Sequence, residues 1–249
     1  MLKAFQEWVM RKIILTVLLI ALAISFANAA GARGNGNTVT IEKKLPPFER
    51  IHIGGTAAVN YHLSNEYRVL VTVDSNLEEH LDIVTNDSRL SVRPKQGQRI
   101  FPTEFTVDVY SPSLSGVSLS GDVQFMGKDK ISARDLSLRI SGSGEIDADI
   151  ICENFSANIS GSGRISLSGS CNDLALTISG SGNFEGYDFQ SNNADVRVSG
   201  SSRIDIWALE NLKIRMSGSG WLRYRGNPYI DSSSSGSGYI GRGEYRRNG

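Results

Sequence analysis

The tetrapeptide Ser-Gly-Ser-Gly occurs five times in this chain, beginning at Ser141, Ser160, Ser179, Ser217 and Ser235, and a damaged copy, Ser199-Gly200-Ser201-Ser202, fills the one gap in the series. The spacing from block to block is therefore nearly constant. Self-similarity at a period of about 20 residues is what a solenoid produces, because each unit can bury its apolar face only against the next. Taken singly, the block would read as a flexible linker or a phosphate loop.

Registering the chain on the first serine of each block removes the linker reading. Five residues before it stand Leu136, Phe155, Leu174, Ala194, Leu212 and Ile230, and three before it Leu138, Ala157, Leu176, Val196, Ile214 and Ser232. One before it stand Ile140, Ile159, Ile178, Val198, Met216 and Ser234, and five after it Ile146, Ile165, Phe184, Ile204, Leu222 and Ile240. The intervening Arg139, Asn158, Thr177, Arg197 and Arg215 point the other way, which is the period of a strand. Each coil therefore holds one strand into the block and one out of it. The same apolar offset in every copy is what in-register parallel stacking demands, with neighbours about 4.8 Å apart. The expected fold is all-β: a right-handed parallel β-solenoid, or β-helix, with coils of about 18–20 residues and a less regular N-terminal part.

The block glycines, Gly142, Gly144, Gly161, Gly163, Gly180, Gly182, Gly200, Gly218, Gly220, Gly236 and Gly238, then mark a corner turned on every coil. The last block, with serines at its inward positions, reads as a frayed or capping coil. Six residues before each block lies a second series, Asp135, Asn154, Asp173, Asn193 and Asn211, broken by Tyr229. Asx side chains in that position suit a corner and can hydrogen-bond along the stack. A metal channel is the sharper alternative, but only two of the five are carboxylates. Cys152 and Cys171 each lie eight residues ahead of their block, so they occupy equivalent places on adjacent coils. The stacking distance falls within disulfide range, which leaves a Cys152–Cys171 bridge and two reduced, stacked thiols as the alternatives.

The segment from Met1 to Ala29 reads as a secretory leader: Arg11 and Lys12 precede the apolar run from Ile13 to Phe26, and Ala27-Asn28-Ala29 has the small-x-small form of a cleavage site. The true start is Met1 or Met10. The apolar run is too short to span a bilayer as a helix, and no later segment is a candidate, so no integral membrane segment is expected after cleavage. The expected organisation is a leader over 1–29, a flexible mature N-terminus over 30–37, and an irregular β section over 38–115 serving as first coils or cap. The regular solenoid follows over 116–240, and a basic flexible tail over 241–249. In the irregular section, Ser118-Leu119-Ser120-Gly121-Asp122-Val123 reads as a degenerate block ahead of the one at Ser141. The whole chain has a formal net charge of zero, and loss of the leader leaves basic and acidic residues close to balance, which gives no general electrostatic reason to bind nucleic acid or an anionic membrane.

Motifs for chemistry are scarce. Gly142-Ser143-Gly144 lacks the third glycine and following helix of a dinucleotide site, and calcium-binding nonapeptide coils need Asp where this chain has Ile146, Ile165, Phe184, Ile204 and Leu222. His52, His62 and His80 are not spaced as metal ligands. No catalytic, metal or cofactor-binding residue is assigned, and no cofactor is expected. The outward charges Glu145, Asp147, Arg164, Glu185, Arg203, Asp205 and Arg223 could serve a polysaccharide lyase or glycosidase, but they are scattered, and Glu145 with Arg164 reads equally as a stacked ion pair. Trp221, Arg223, Tyr224, Arg225 and Tyr239 combine rings and guanidinium groups near the last coil, as binding surfaces for sugars and proteins do; a cap over the open end of the core is the other reading.

The corner repeat, the opening Phe48-Glu49-Arg50-Ile51-His52-Ile53 and the phrase Phe105-Thr106-Val107-Asp108-Val109-Tyr110-Ser111-Pro112-Ser113-Leu114 together resemble the DUF2807 family of autotransporter adhesin heads, called head GIN domains. The resemblance spans roughly residues 40–240 and implies an exported bacterial β-solenoid. It carries over no catalytic residues, and the chain has no long C-terminal stretch of membrane-barrel type, so a complete autotransporter is not expected. The reading reached is a non-enzymatic exported module, adhesin-like or ligand-binding, placed in the periplasm, on the outer envelope surface or outside the cell. Its partners would be envelope glycans or proteins, with the solenoid ends open to homo-oligomerisation. The alternatives are a polysaccharide-active enzyme and a structural envelope protein.

Overall fold

The computed structural model describes residues 31–243, so the segment expected as a leader and most of the expected basic tail lie outside the described residues. The N-terminal strands are β1 (Ala32–Arg33), β2 (Thr38–Lys44), β3 (Arg50–Leu63), β4 (Arg68–Asp74), β5 (Leu81–Asn86), β6 (Arg89–Pro94), β7 (Ile100–Phe101) and β8 (Phe105–Ser111). Strict alternation of Val69, Val71 and Val73 with less buried residues makes β4 half-buried, and it pairs antiparallel with β2 on one side and β8 on the other. β5 and β6 form a hairpin across Asp87 and Ser88, both at positive φ as a two-residue primed turn requires. A single 3₁₀ turn over Ser75–His80 buries Leu77.

From β3 onward the chain winds as a parallel β-solenoid of about seven turns. The coils are β9 (Gly116–Gly127), β10 (Ile131–Gly142), β11 (Glu145–Gly161), β12 (Arg164–Gly180), β13 (Asn183–Gly200) and β14 (Arg203–Gly218), closed by β15 (Trp221–Arg225), β16 (Tyr229–Ser235) and β17 (Tyr239–Arg242). Successive coils pair in parallel, with local register shifts only at the bends of β12 to β14, so that Ile140, Ile159, Ile178, Val198 and Met216 form one continuous buried column. The strands leaving one block and entering the next are not separate, contrary to the expectation above: β11 to β14 each run through as one ribbon of 16 to 18 residues. The reason is visible at Glu153-Asn154, where two successive exposed residues invert the alternation at a bend, so both arms keep burying their apolar side.

The block glycines form a column of their own. Gly55, Gly121, Gly142, Gly161, Gly180, Gly200, Gly218 and Gly236 all have φ between 100° and 125°, which disfavours any side chain. Crowding adds to this: a Cβ on Gly161 would lie 2.5 Å from the carbonyl oxygen of Gly142 on the coil before. One expectation is corrected by this column. The degenerate block is centred on Ser120, which pairs with Ser141, and not on Ser118, which pairs with Arg139. Its distance from Ser141 is thereby close to that between the other blocks, because Gly121 is the residue that makes the corner. Gly54-Gly55 is the first corner, in register with Ser120-Gly121, and β3 passes through it to become the first coil. The irregular section thus splits into a first coil and an antiparallel cap laid against it.

Candidate functional site

The Asx series stands in register at one bend, Asp135 beside Asn154, Asp173, Asn193 and Asn211 in turn, with Tyr229 at the end. Its side chains bond along the coil axis: the Asn154 amide donates to Asp135 at 2.6 Å, Asn193 to Asp173 at 2.9 Å and Asn211 to Asn193 at 2.7 Å. Beside this ridge the next outward positions are Ser137, Ser156 and Ala175, all small, and the result is an open trough of about 730 Å³ that follows the axis across the coils. Asp195 and Lys213 line one end and Ser115 the other. The ridge was legible in the sequence, but the trough was not. Its signal was the run of small residues four places before the first three blocks, Ser137, Ser156 and Ala175, which alternation alone marks only as outward.

The carboxylates bordering the trough are already engaged as acceptors. Asp135 accepts from Asn154, Asp173 from Asn172 and Asn193, and Asp195 from the Arg197 guanidinium at 2.7 Å. Elsewhere, Arg164 lies between Glu145 at 3.6 Å and Glu185 at 2.9 Å, an ion ladder across three coils. Asp205, expected to face outward, is nearly buried, because the Arg223 guanidinium covers it with two hydrogen bonds of 2.8 Å. The histidines are dispersed. His62 stacks on Tyr110 with Asp108 3.6 Å away, His80 pairs with Gln98, and His52 is half-buried on β3. Among the described residues no group of three or more acidic, His or Cys side chains is arranged around a metal position.

The predicted surface at the last coil divides in two. Trp221 and Tyr239 stand exposed, 61% and 51%, with ring centroids 5.5 Å apart. The guanidinium groups beside them are clamped: Arg223 sits between Asp205 and the Tyr187 ring, and Arg225 lies 3.7 Å over Trp207 and donates to the Tyr187 carbonyl. Tyr224 turns inward and packs on the core. These contacts close the flank of the final coils, and they leave the Trp221–Tyr239 pair as its outward feature.

Cys152 and Cys171 face each other in register as buried, free thiols. The hydrogen bond between them draws the Cys152 thiol below its usual range, and the same bond, with burial, pushes Cys171 up.

Stacked parallel coils with a hydrogen-bonded amide ridge and a lengthwise trough define a β-solenoid with an open lateral face. The chain belongs to the DUF2807 family, "Putative auto-transporter adhesin, head GIN domain", whose family model matches residues 47–228. Membership makes it an adhesin-like module. Among solved structures it is similar to a putative lipid binding protein from Parabacteroides distasonis, with 25% identity, a TM-score of 0.74, and coverage of 86% of this chain and 100% of the other. It is also similar to a putative adhesin from Bacteroides fragilis (22% identity, TM-score 0.80, 85% and 100% covered) and to one from Parabacteroides merdae (22%, 0.66, 86% and 99%). A search of curated proteins finds no match. No helix among the described residues is long and apolar enough to cross a membrane.

Proposed function

We propose that this chain is an exported, non-enzymatic adhesin-like module that binds an extended glycan lengthwise in the trough beside the Asx ridge. The trough itself carries the reading: beside apolar surface from Leu136, Phe155 and Leu174 that sugar rings can stack on, it presents amide and hydroxyl groups at the coil spacing of about 4.8 Å, the kind of step an extended sugar chain makes from ring to ring. At Ser137, Ser156 and Ala175 the trough carries no large side chain that would keep a ring from lying along it. The Asp135, Asp173 and Asp195 carboxylates are each held by an amide or guanidinium donor, which suits a scaffold and not a proton donor. One neighbour is called a lipid binding protein; an acyl chain lying in this open trough would keep one side in water, which disfavours that ligand here.

The test uses residues 30–249 on a glycan array, followed by titration of the strongest hit against Ser156→Trp and Ala175→Trp. Both indoles would fill the trough from outward positions, so binding should fall by about tenfold or more while the melting temperature stays. Unchanged binding by both variants, or cleavage of the sugar, would overturn the reading. Export is followed by fractionating cells that express the full chain, and the mass of the recovered protein with and without reductant separates a Cys152–Cys171 bridge from the two free thiols.

A further inference from the structure

Arginines on the regular coils are mostly tied to carboxylates: Arg134 to Glu153, Arg164 to Glu145 and Glu185, Arg197 to Asp195, Arg215 to Asp231 and Arg223 to Asp205. At the junction of the cap with the first coils the pattern is different. Arg50 on β3 stands directly opposite Arg89 on β6, a like-charge pair across neighbouring strands, and Arg93 and Arg139 complete the group. Arg50 donates to the Asp87 carbonyl, and among the described residues Arg89, Arg93 and Arg139 make no ion pair. All four are exposed around two adjoining hollows of about 630 and 320 Å³, floored by Ser91, Gly116 and Ser118. Asp87 is the one carboxylate on their lining.

Like charges opposed on adjacent strands are destabilising unless something of opposite sign lies between them. The whole chain has a formal net charge of zero, so this concentration is local, and a concave, small-residue floor focuses its field. His52 lines the larger hollow. Burial and the charges of Arg93 and Arg89 hold its imidazole below the usual pKa, against a backbone hydrogen bond with Ser118 that acts the other way. The group spans β6, β3, β9 and β10, three strand intervals or about 14 Å, which is wider than one phosphate or sulfate can bridge. Planar guanidinium forks spread at that width match several oxyanions in a row. Ser115 and Ser137 line both the smaller hollow and the trough, so the two are continuous.

We propose that the hollow framed by Arg50, Arg89, Arg93 and Arg139 binds the anionic groups of an acidic polysaccharide whose remaining length lies in the trough. The second half of that statement rests on the reading of the trough given above, and the first half does not. The ligand class is thereby narrowed from extended glycans to those bearing carboxylate, sulfate or phosphate at successive positions.

The test is titration of residues 30–249 with oligogalacturonate, its fully methyl-esterified counterpart, a heparin-derived oligosaccharide and duplex DNA. The acid or the sulfated sugar should bind, more weakly as salt rises, and the neutral ester should lose about tenfold or more. Arg50→Gln, Arg89→Gln and Arg139→Gln should each weaken the charged ligand by about five- to tenfold, Arg203→Gln on a distant coil should not, and the His52 resonances should titrate at higher pH in the complex. Equal binding of acid and ester, equal binding of DNA, or equal losses from Arg203→Gln and Arg50→Gln would overturn the proposal. Sensitivity to Ser156→Trp without sensitivity to the arginine changes leaves the trough standing and removes the hollow; the reverse pattern removes the trough and keeps the hollow.

Discussion

The coils from β10 to β14 and the cap built of β2 and β4 to β8 both close an apolar interior, but they do so by different rules. In the coils every side chain meets its own counterpart one turn away, as Ile159 meets Ile140 and Ile178. In the cap each contact is particular. Asp74, fully buried, accepts from the Thr103 hydroxyl at 2.6 Å, the Thr103 amide at 2.8 Å and the Gly36 amide at 2.7 Å, and so ties together two loops that lie far apart in the sequence. A stack tolerates or rejects a residue type at a whole column at once, whereas a cap depends on single residues with no equivalents.

The strongest way to break this contrast is to put a charge in a column. Ile178→Asp should destabilise by more than about 4 kcal/mol, since the carboxylate would enter the stack without a partner, while Thr177→Asp on the adjacent outward position should stay within about 0.5 kcal/mol. Similar melting temperatures for the two variants would show that the columns are not the interior. A smaller effect is expected at the corner. Gly161→Ala, at φ 122° and against the Gly142 carbonyl, should lose about 2–3 kcal/mol, whereas Gly97→Ala, in a cap loop at φ 78° with open space around it, should lose about 1 kcal/mol or less. Chemical denaturation of both variants ranks them.

The cap is tested most gently by acid. The Thr103 hydroxyl bond, opposed by burial and reinforced by the backbone amides, lowers the Asp74 pKa from 3.8 to about 2. A depressed carboxylate stabilises the fold fully above its unfolded pKa, and that contribution is lost as pH falls through about 4 towards 2. Hydrogen exchange across that window should therefore show the Gly36 and Thr103 amides losing protection before those of β11 and β12, and Asp74→Asn should abolish the difference. Simultaneous loss in cap and coils would show one cooperative unit in place of two.

The same contrast decides what could be read from residues alone. Repetition made the coil legible, because six aligned copies turn a weak period-two pattern into a register, down to the pairing of Cys152 with Cys171 and the Asx ridge. The register of the first coil escaped because its corner, Gly54-Gly55, has no serines, although Ile51, Ile53 and Val59 stand at the right offsets from it. The trough escaped because small outward residues look like any solvent-facing position until their neighbours are known. The arginine hollow is the least legible of all: Arg50, Arg89 and Arg139 are far apart in the chain and meet only because the β5–β6 hairpin docks beside β3.

The column of corner glycines also sets how such a molecule can change its length. Each of these residues rests on the carbonyl of the one before it, so the bends absorb a residue or two, as the register shifts in β12 to β14 do, but an insertion at the corner itself would bring a side-chain-bearing residue against that oxygen. A whole coil, from one block to the next, can be added or removed with all columns preserved. Length in this fold is therefore quantised, and with it the length of any ligand that lies along the axis.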